Sequence, residues 1–138
     1  MSTQKRYAPI IDKLRNAGLR PTRQRIALGE LMFRGDDRHV SAEMLHNEAL
    51  KARVSVSLAT VYNTLHQFTQ AGLLREIAVE AGRSYFDTNT SDHHHFYFEN
   101  DGHLEDVKSV DVVVSSLPTP PRGAKISRVD VVIRVSED

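Results

Sequence analysis

Apolar side chains divide this chain into a helical front and a strand-rich rear. Over residues 5–17, Ala8, Ile11, Leu14 and Ala17 recur at the spacing of one helix face, and Gly18 marks the stop. In "LRPTRQRIALGELMF", Thr22 is placed to cap a second helix that turns Ile26, Leu28 and Leu31 inward. A polar turn over 34–39 precedes a third short helix, capped by Ser41, with Met44, Leu45 and Leu50 as its apolar positions. The clearest stripe is Leu58, Val61, Leu65 and Phe68, in a helix over 57–71 that Ser57 caps and Gly72 ends. Its outer face carries Ala59, Thr60, Asn63 and Gln67. "LLREIAVE" and "RSYFDT" then read as two strands joined at Ala81–Gly82.

After Thr88 the period changes from that of helices to that of strands. "HHHFYFE" and "GHLEDV" read as strands around the turn "NDG", and "VDVVVSSL" suits either helix or strand. "ISRVDVVIRV" alternates, with Val129, Val131, Ile133 and Val135 on one face and Asp130 and Arg134 on the other. The expected fold class is α+β: an N-terminal winged helix over residues 1–88, then a small α/β dimerisation domain over 89–138. A rear part of about 50 residues is near the lower limit for an independent core. With no cysteine, neither a disulfide nor a thiolate metal knot can help it. Sharing the core with a second copy, through the last strand and the Val-rich segment, is the economical solution, and a homodimer is expected.

Formal net charge is zero, but it is unevenly spread: residues 1–88 sum to +4 and residues 89–138 to −4. Seven basic side chains and one acid, Asp12, lie in the first 25 residues. A basic front on a winged helix points to double-stranded DNA. The opening "MSTQKRYAPIIDKL" has no secretory run and no stretch could span a bilayer, so a cytoplasmic location is expected. Lys13, Arg15, Arg20, Arg23 and Arg25 are the candidates for phosphate contacts. Base reading falls to the 57–71 helix, from Ser57, Thr60, Tyr62 and Asn63. Asn63 suits adenine N6 and N7, and Thr60 and Tyr62 suit thymine methyls, so the expected operator contains A·T pairs and is two-fold symmetric.

"SDHHHFYFENDGH" holds four of the seven histidines. On a strand His93 and His95 share a face and His94 opposes them. A metal site there needs further ligands, and Asp87, Asp106 and His39 are the candidates, for iron, manganese or zinc. Haem is a second expected ligand, through His93, His94 or His95, with Phe96, Tyr97 and Phe98 against the porphyrin. A competing reading is enzymatic: His93, His95 and Glu99 form the His-x-His-x-x-x-Glu spacing of cupin-type oxygenases. Those need a barrel of many strands, and this chain has too few. A third reading is a winged-helix adaptor whose histidines are merely solvated.

Taken together, "GLRPTRQRIALGEL", "RHVSAEMLHNEAL", "SLATVYNTLHQFTQAGLL" and the "HHH" strand resemble the ferric uptake regulator family over residues 10–107. The resemblance implies a dimeric metal-sensing transcription regulator, not an enzyme. It implies a regulatory metal held between two domains by His39, Asp87, His93 and His95, with Asp106 at a fifth position. Aspartates at 87 and 106 look like the peroxide-sensing branch. The cysteine-free "HHHFYFENDGHLEDV" looks most like the iron response regulator branch, which represses or activates iron and haem genes and answers to haem. Phe98 and Asp101 stand where many members have the first Cys-x-x-Cys pair, so their structural zinc is not expected. Asp92 and His94 fall on a further metal site whose C-terminal histidine has no match. Asn63 replaces the arginine of the family's "TVYRTL", implying an altered operator.

Overall fold

The computed structural model describes residues 3–80 and 82–137, with side chains from Tyr7 onward. The chain divides into two compact units, Met1–Thr90 and Ser91–Asp138. The first unit runs α1 (Thr3–Asn16), α2 (Arg23–Phe33), β1 (His39–Val40), α3 (Ala42–Lys51), α4 (Leu58–Gln70), β2 (Arg75–Glu80) and β3 (Arg83–Asp87). Three of these helices start where a hydroxyl is available: Thr22 accepts from the Arg25 N–H, Ser41 from that of Met44, and Ser57 from that of Thr60. Gly72, just past the C-terminus of α4, adopts φ 82°, a left-handed turn that a side chain would strain.

The four helices close on one apolar core with Val40, Leu74 and Phe86. Leu14, Leu28, Met32, Leu45, Val61, Leu65 and Phe68 are all fully buried in it. Their exclusion from water is the main source of stability for this unit. The inward face of α1 differs from expectation. Ile10 and Leu14 are buried, whereas Ala8 is exposed and Ile11 only partly covered. The cause lies on α2, where Gly29 leaves a gap that Ile10 fills; a Cβ there would stand 2.6 Å from the Ile10 Cδ1. In α3 the inward residues are Ala42, Leu45 and Ala49, while Met44 and Leu50 are exposed. Small residues let α3 approach its neighbours, which the larger side chains would prevent.

In this unit the strands order β1–β3–β2, all antiparallel. The segment expected as a polar turn therefore ends in a strand: His39 pairs with Asp87 and Val40 with Phe86. The wing slips register between Ala78 and Glu80 and turns at Gly82, with φ 71°; Ala81, the other expected turn residue, lies outside the described residues.

The second unit contains β4 (His93–Phe98), β5 (Leu104–Lys108), a single 3₁₀ turn (Ser109–Asp111) and β6 (Val132–Val135). β4 is the central strand, antiparallel to β5 and parallel to β6. The Val-rich segment does not form a helix or strand beyond the 3₁₀ turn, and residues 112–131 carry no regular structure. The last strand is shorter than the alternation implied: Val132 and Val135 are half-buried, while Ile133 is exposed. The alternation alone could not show how much of the segment finds a ladder partner, and here β4 supplies one for four residues only.

Candidate metal centre and nucleic-acid face

Five expected metal ligands fall into two half-sites, one in each unit. In the first, register places His39 directly opposite Asp87. The His39 Nε2 lies 3.2 Å from Asp87 Oδ2, and the carboxylate is almost fully buried. Its other oxygen accepts from the Asn89 N–H at 2.8 Å, which fixes the carboxylate plane. Arg75 also sits opposite Asp87, on the far side of β3, and is itself buried. Sequence reasoning passed over this arginine; only the strand register could have revealed it, because opposed residues share a face.

In the second unit, pairing of β4 with β5 sets His95 opposite Asp106 and His93 opposite Lys108. His93 and His95 project to one side, with ring centroids 4.6 Å apart. The Nε2 atoms lie 3.3 and 3.6 Å from the same Asp106 oxygen, and both rings are nearly excluded from solvent. The His93 Nδ1 stands 2.6 Å from the Ser91 carbonyl. A carbonyl can only accept, so Nδ1 donates to it, and Nε2 is the nitrogen turned to Asp106. Two buried imidazoles and a half-exposed carboxylate, each with an atom within 4.8 Å of the others, have the donor chemistry of a divalent cation site.

His94 points to the other face of β4, as the strand period requires, and its Nδ1 accepts from the Val131 N–H at 3.1 Å. It thus ties β4 to the chain entering β6. Tyr97 is buried beneath Arg134, whose guanidinium carbon lies 5.4 Å from the ring centroid. Phe96 and Phe98 lie on one face with centroids 6.4 Å apart, and Phe98 stacks on His103 at 4.1 Å. Asp101 bonds His103, which raises the imidazole pKa above its ordinary 6.5 and lowers that of Asp101.

The expected DNA-reading residues lie on α4 with its cap Ser57, in the first turn of α2 (Arg23, Arg25), in the turn before it (Arg20) and in the last turn of α1 (Lys13, Arg15). Arg15, Arg20 and Arg23 are exposed, as is Asn63. Arg25 is otherwise engaged. Its Nε and Nη2 both donate to the Gln67 side-chain oxygen, at 3.2 and 3.0 Å, and Nη1 donates to the Arg20 carbonyl. The guanidinium thereby straps the Arg20 turn to α4. Lys13 sits 4.7 Å from the Phe33 ring centroid. Ser57 caps α4 and donates to the Thr60 hydroxyl, and the Tyr62 hydroxyl donates to Glu43 at 2.8 Å. Between the α2 entry and α4 runs a cleft of about 320 Å³ lined by Thr22, Gln24, Arg25, Thr60, Asn63 and Gln67.

A profile of the ferric uptake regulator family matches residues 16–133. The chain belongs to that family. A ferric uptake regulation protein of Bordetella parapertussis is 35% identical over 101 residues, 72% of this chain and 73% of the relative. Among solved structures, the ferric uptake regulator of Pseudomonas aeruginosa with manganese superposes with a TM-score of 0.70 at 26% identity, covering 93% of this chain and 97% of that one. The Vibrio cholerae ferric uptake regulator has the same TM-score at 22% identity, covering 91% and 98%, and supports the fold. This ferric uptake regulator family member is therefore a metal-responsive, DNA-binding transcription regulator and not an enzyme. The oxygenase spacing fails on geometry too: Glu99 is exposed, and β4 belongs to a three-stranded sheet instead of a barrel. No helix among the described residues is long and apolar enough to cross a membrane.

Proposed function

We propose that this chain is an iron- and haem-responsive regulator, mainly a repressor, of iron and haem metabolism genes. It acts as a homodimer on A·T-containing operators with two-fold symmetry. His39, Asp87, His93, His95 and Asp106 take one divalent ion, iron, manganese or zinc, as a five-donor set drawn from both units. The reading rests most on one observation: His93 and His95 are buried with their Nε2 atoms turned to the same Asp106 oxygen. Burying two imidazoles costs solvation, and ligation by those nitrogens would recover it. The manganese carried by the Pseudomonas aeruginosa relative is consistent with this donor chemistry.

An ion held by ligands from both units supplies a fixed link between them. His39 and Asp87 anchor the link on the winged helix, and His93, His95 and Asp106 anchor it on the sheet. In a dimer that link sets the separation of two α4 helices, which must match the spacing of the half-sites. Metal and DNA affinity are then coupled, by about 1–3 kcal/mol. Haem at His93 or His95 competes for the same nitrogens and weakens DNA binding; His94, on the opposite face, is a separate haem ligand. Exposed Val110, Val113, Val114 and Leu117 support a second copy covering the 110–117 segment.

The test is operator binding by apo, Mn²⁺-loaded and haem-loaded protein at one salt concentration. Tighter binding with Mn²⁺ and weaker binding with haem are expected. Equal affinity in all three states would remove the switch and leave a constitutive DNA binder.

A further inference from the structure

Helices α3 and α4 meet at a polar contact between Glu43 and Tyr62. Glu43 stands in the first turn of α3, where the N-terminal dipole favours its charge. Its Oε1 receives the Tyr62 O–H at 2.8 Å. The hydrogen bond holds the carboxyl below its ordinary value and pushes the phenol up, so near neutral pH the proton belongs to Tyr62 and the charge to Glu43. The Tyr62 ring also lies nearly parallel to His66, one turn on, at 6.4 Å and 21°.

This contact limits what Tyr62 can offer a groove. Its only proton is committed to Glu43, so it has none to donate to a phosphate or a base acceptor. What remains is an apolar ring whose two torsions are fixed at both ends, by the carboxylate at the hydroxyl and by α4 at the Cα. A ring so held suits contact with a thymine methyl. Left loose, it could swing to other bases and would lose freedom on every encounter.

We propose that Glu43 is a specificity-determining positioning residue: through the Tyr62 hydroxyl it aims the ring at one thymine methyl of the operator. The inference rests on α4 being the base-reading helix. Glu43 does not touch DNA in this scheme; it acts through Tyr62 alone.

The test uses full-length, Mn²⁺-loaded protein at fixed salt. The duplex is one recovered by the wild type from a randomised pool, with each thymine then replaced in turn by uracil. The wild type should lose about fourfold at one position, the worth of one buried methyl group. In Glu43→Ala that penalty should shrink to less than twofold, while affinity for the parent duplex falls about fivefold, the worth of one hydrogen bond. Glu43→Gln, whose amide oxygen can still accept, should restore the thymine preference. Tyr62→Phe, which loses the anchor but keeps the ring, should behave like Glu43→Ala. A Glu43→Ala protein that keeps the full thymine-to-uracil ratio overturns the inference alone. If Tyr62→Ala leaves both affinity and ratios at wild-type values, α4 is not the reader, and the base-reading assignment falls with it.

Discussion

The two units are stabilised in different ways. The first buries a continuous apolar core from four helices and a sheet, with Thr64, Arg75 and Asp87 as its buried polar side chains besides the Ser41 cap. The second buries His93, His94 and His95 alongside Tyr97, Leu104 and Val107, and leaves Val110, Val113, Leu117 and Ile126 exposed, Val113 at 84%. The first unit turns most of its large apolar residues inward, Met44 and Leu50 excepted. The other places imidazoles where a small core could least spare the space, and keeps aliphatic side chains on its surface.

The contrast breaks most visibly in the first core. Phe68→Ala should destabilise that unit by about 3–5 kcal/mol, read from its denaturant midpoint, because so closed a core cannot refill the cavity. For the second unit, Val113→Asp with Leu117→Asp should leave that midpoint in place and yield monomers in sedimentation. Operator affinity should fall by about a hundredfold or more, since one reading head then acts alone. If the protein stays dimeric, the exposed valines are not the shared surface.

Smaller effects sharpen the picture. His95→Ala should abolish the gain in operator affinity on adding Mn²⁺, a gain of about 5- to 150-fold in the wild type, as chelation by EDTA should. Thermal unfolding of the metal-free protein should change far less. Gly29→Ala sets a helix-propensity gain of about 1 kcal/mol against a Cβ pressing on Ile10, which costs about 1–3 kcal/mol. A net loss of about 1 kcal/mol in the first unit is expected, measured by calorimetry.

The smallest effect is the pH dependence of Asp101 and His103, both exposed. Because the His103 pKa is raised, its contribution is complete below the ordinary value of 6.5 and fades as pH climbs through the raised one. Because that of Asp101 is lowered, its contribution is present above the ordinary 3.8 and fades as pH falls through the lowered one. Asp101→Asn should bring the His103 titration, followed by NMR, back toward its ordinary midpoint. An unchanged midpoint would assign the shift to Glu105 instead.

Much was legible in sequence because it is local. Thr22, Ser41 and Ser57 cap helices through their own next turn, and Val61, Leu65 and Phe68 share a face through helix period alone. The strand period likewise separates His94 from His93 and His95 before any fold is known. The five metal candidates were legible as residue types, and the family resemblance named them together. Why His39 meets Asp87 follows only from a register between distant segments, and why Asp106 faces two histidines from the register of the β4–β5 hairpin. Tertiary structure alone also decided that Ile10 fills the gap over Gly29, that Arg25 is strapped to Gln67, and that Tyr62 gives its proton to Glu43. Periodicity fixes directions within an element at no entropic cost beyond forming it. Contact between separate elements depends on how those elements pack, and no local pattern encodes it.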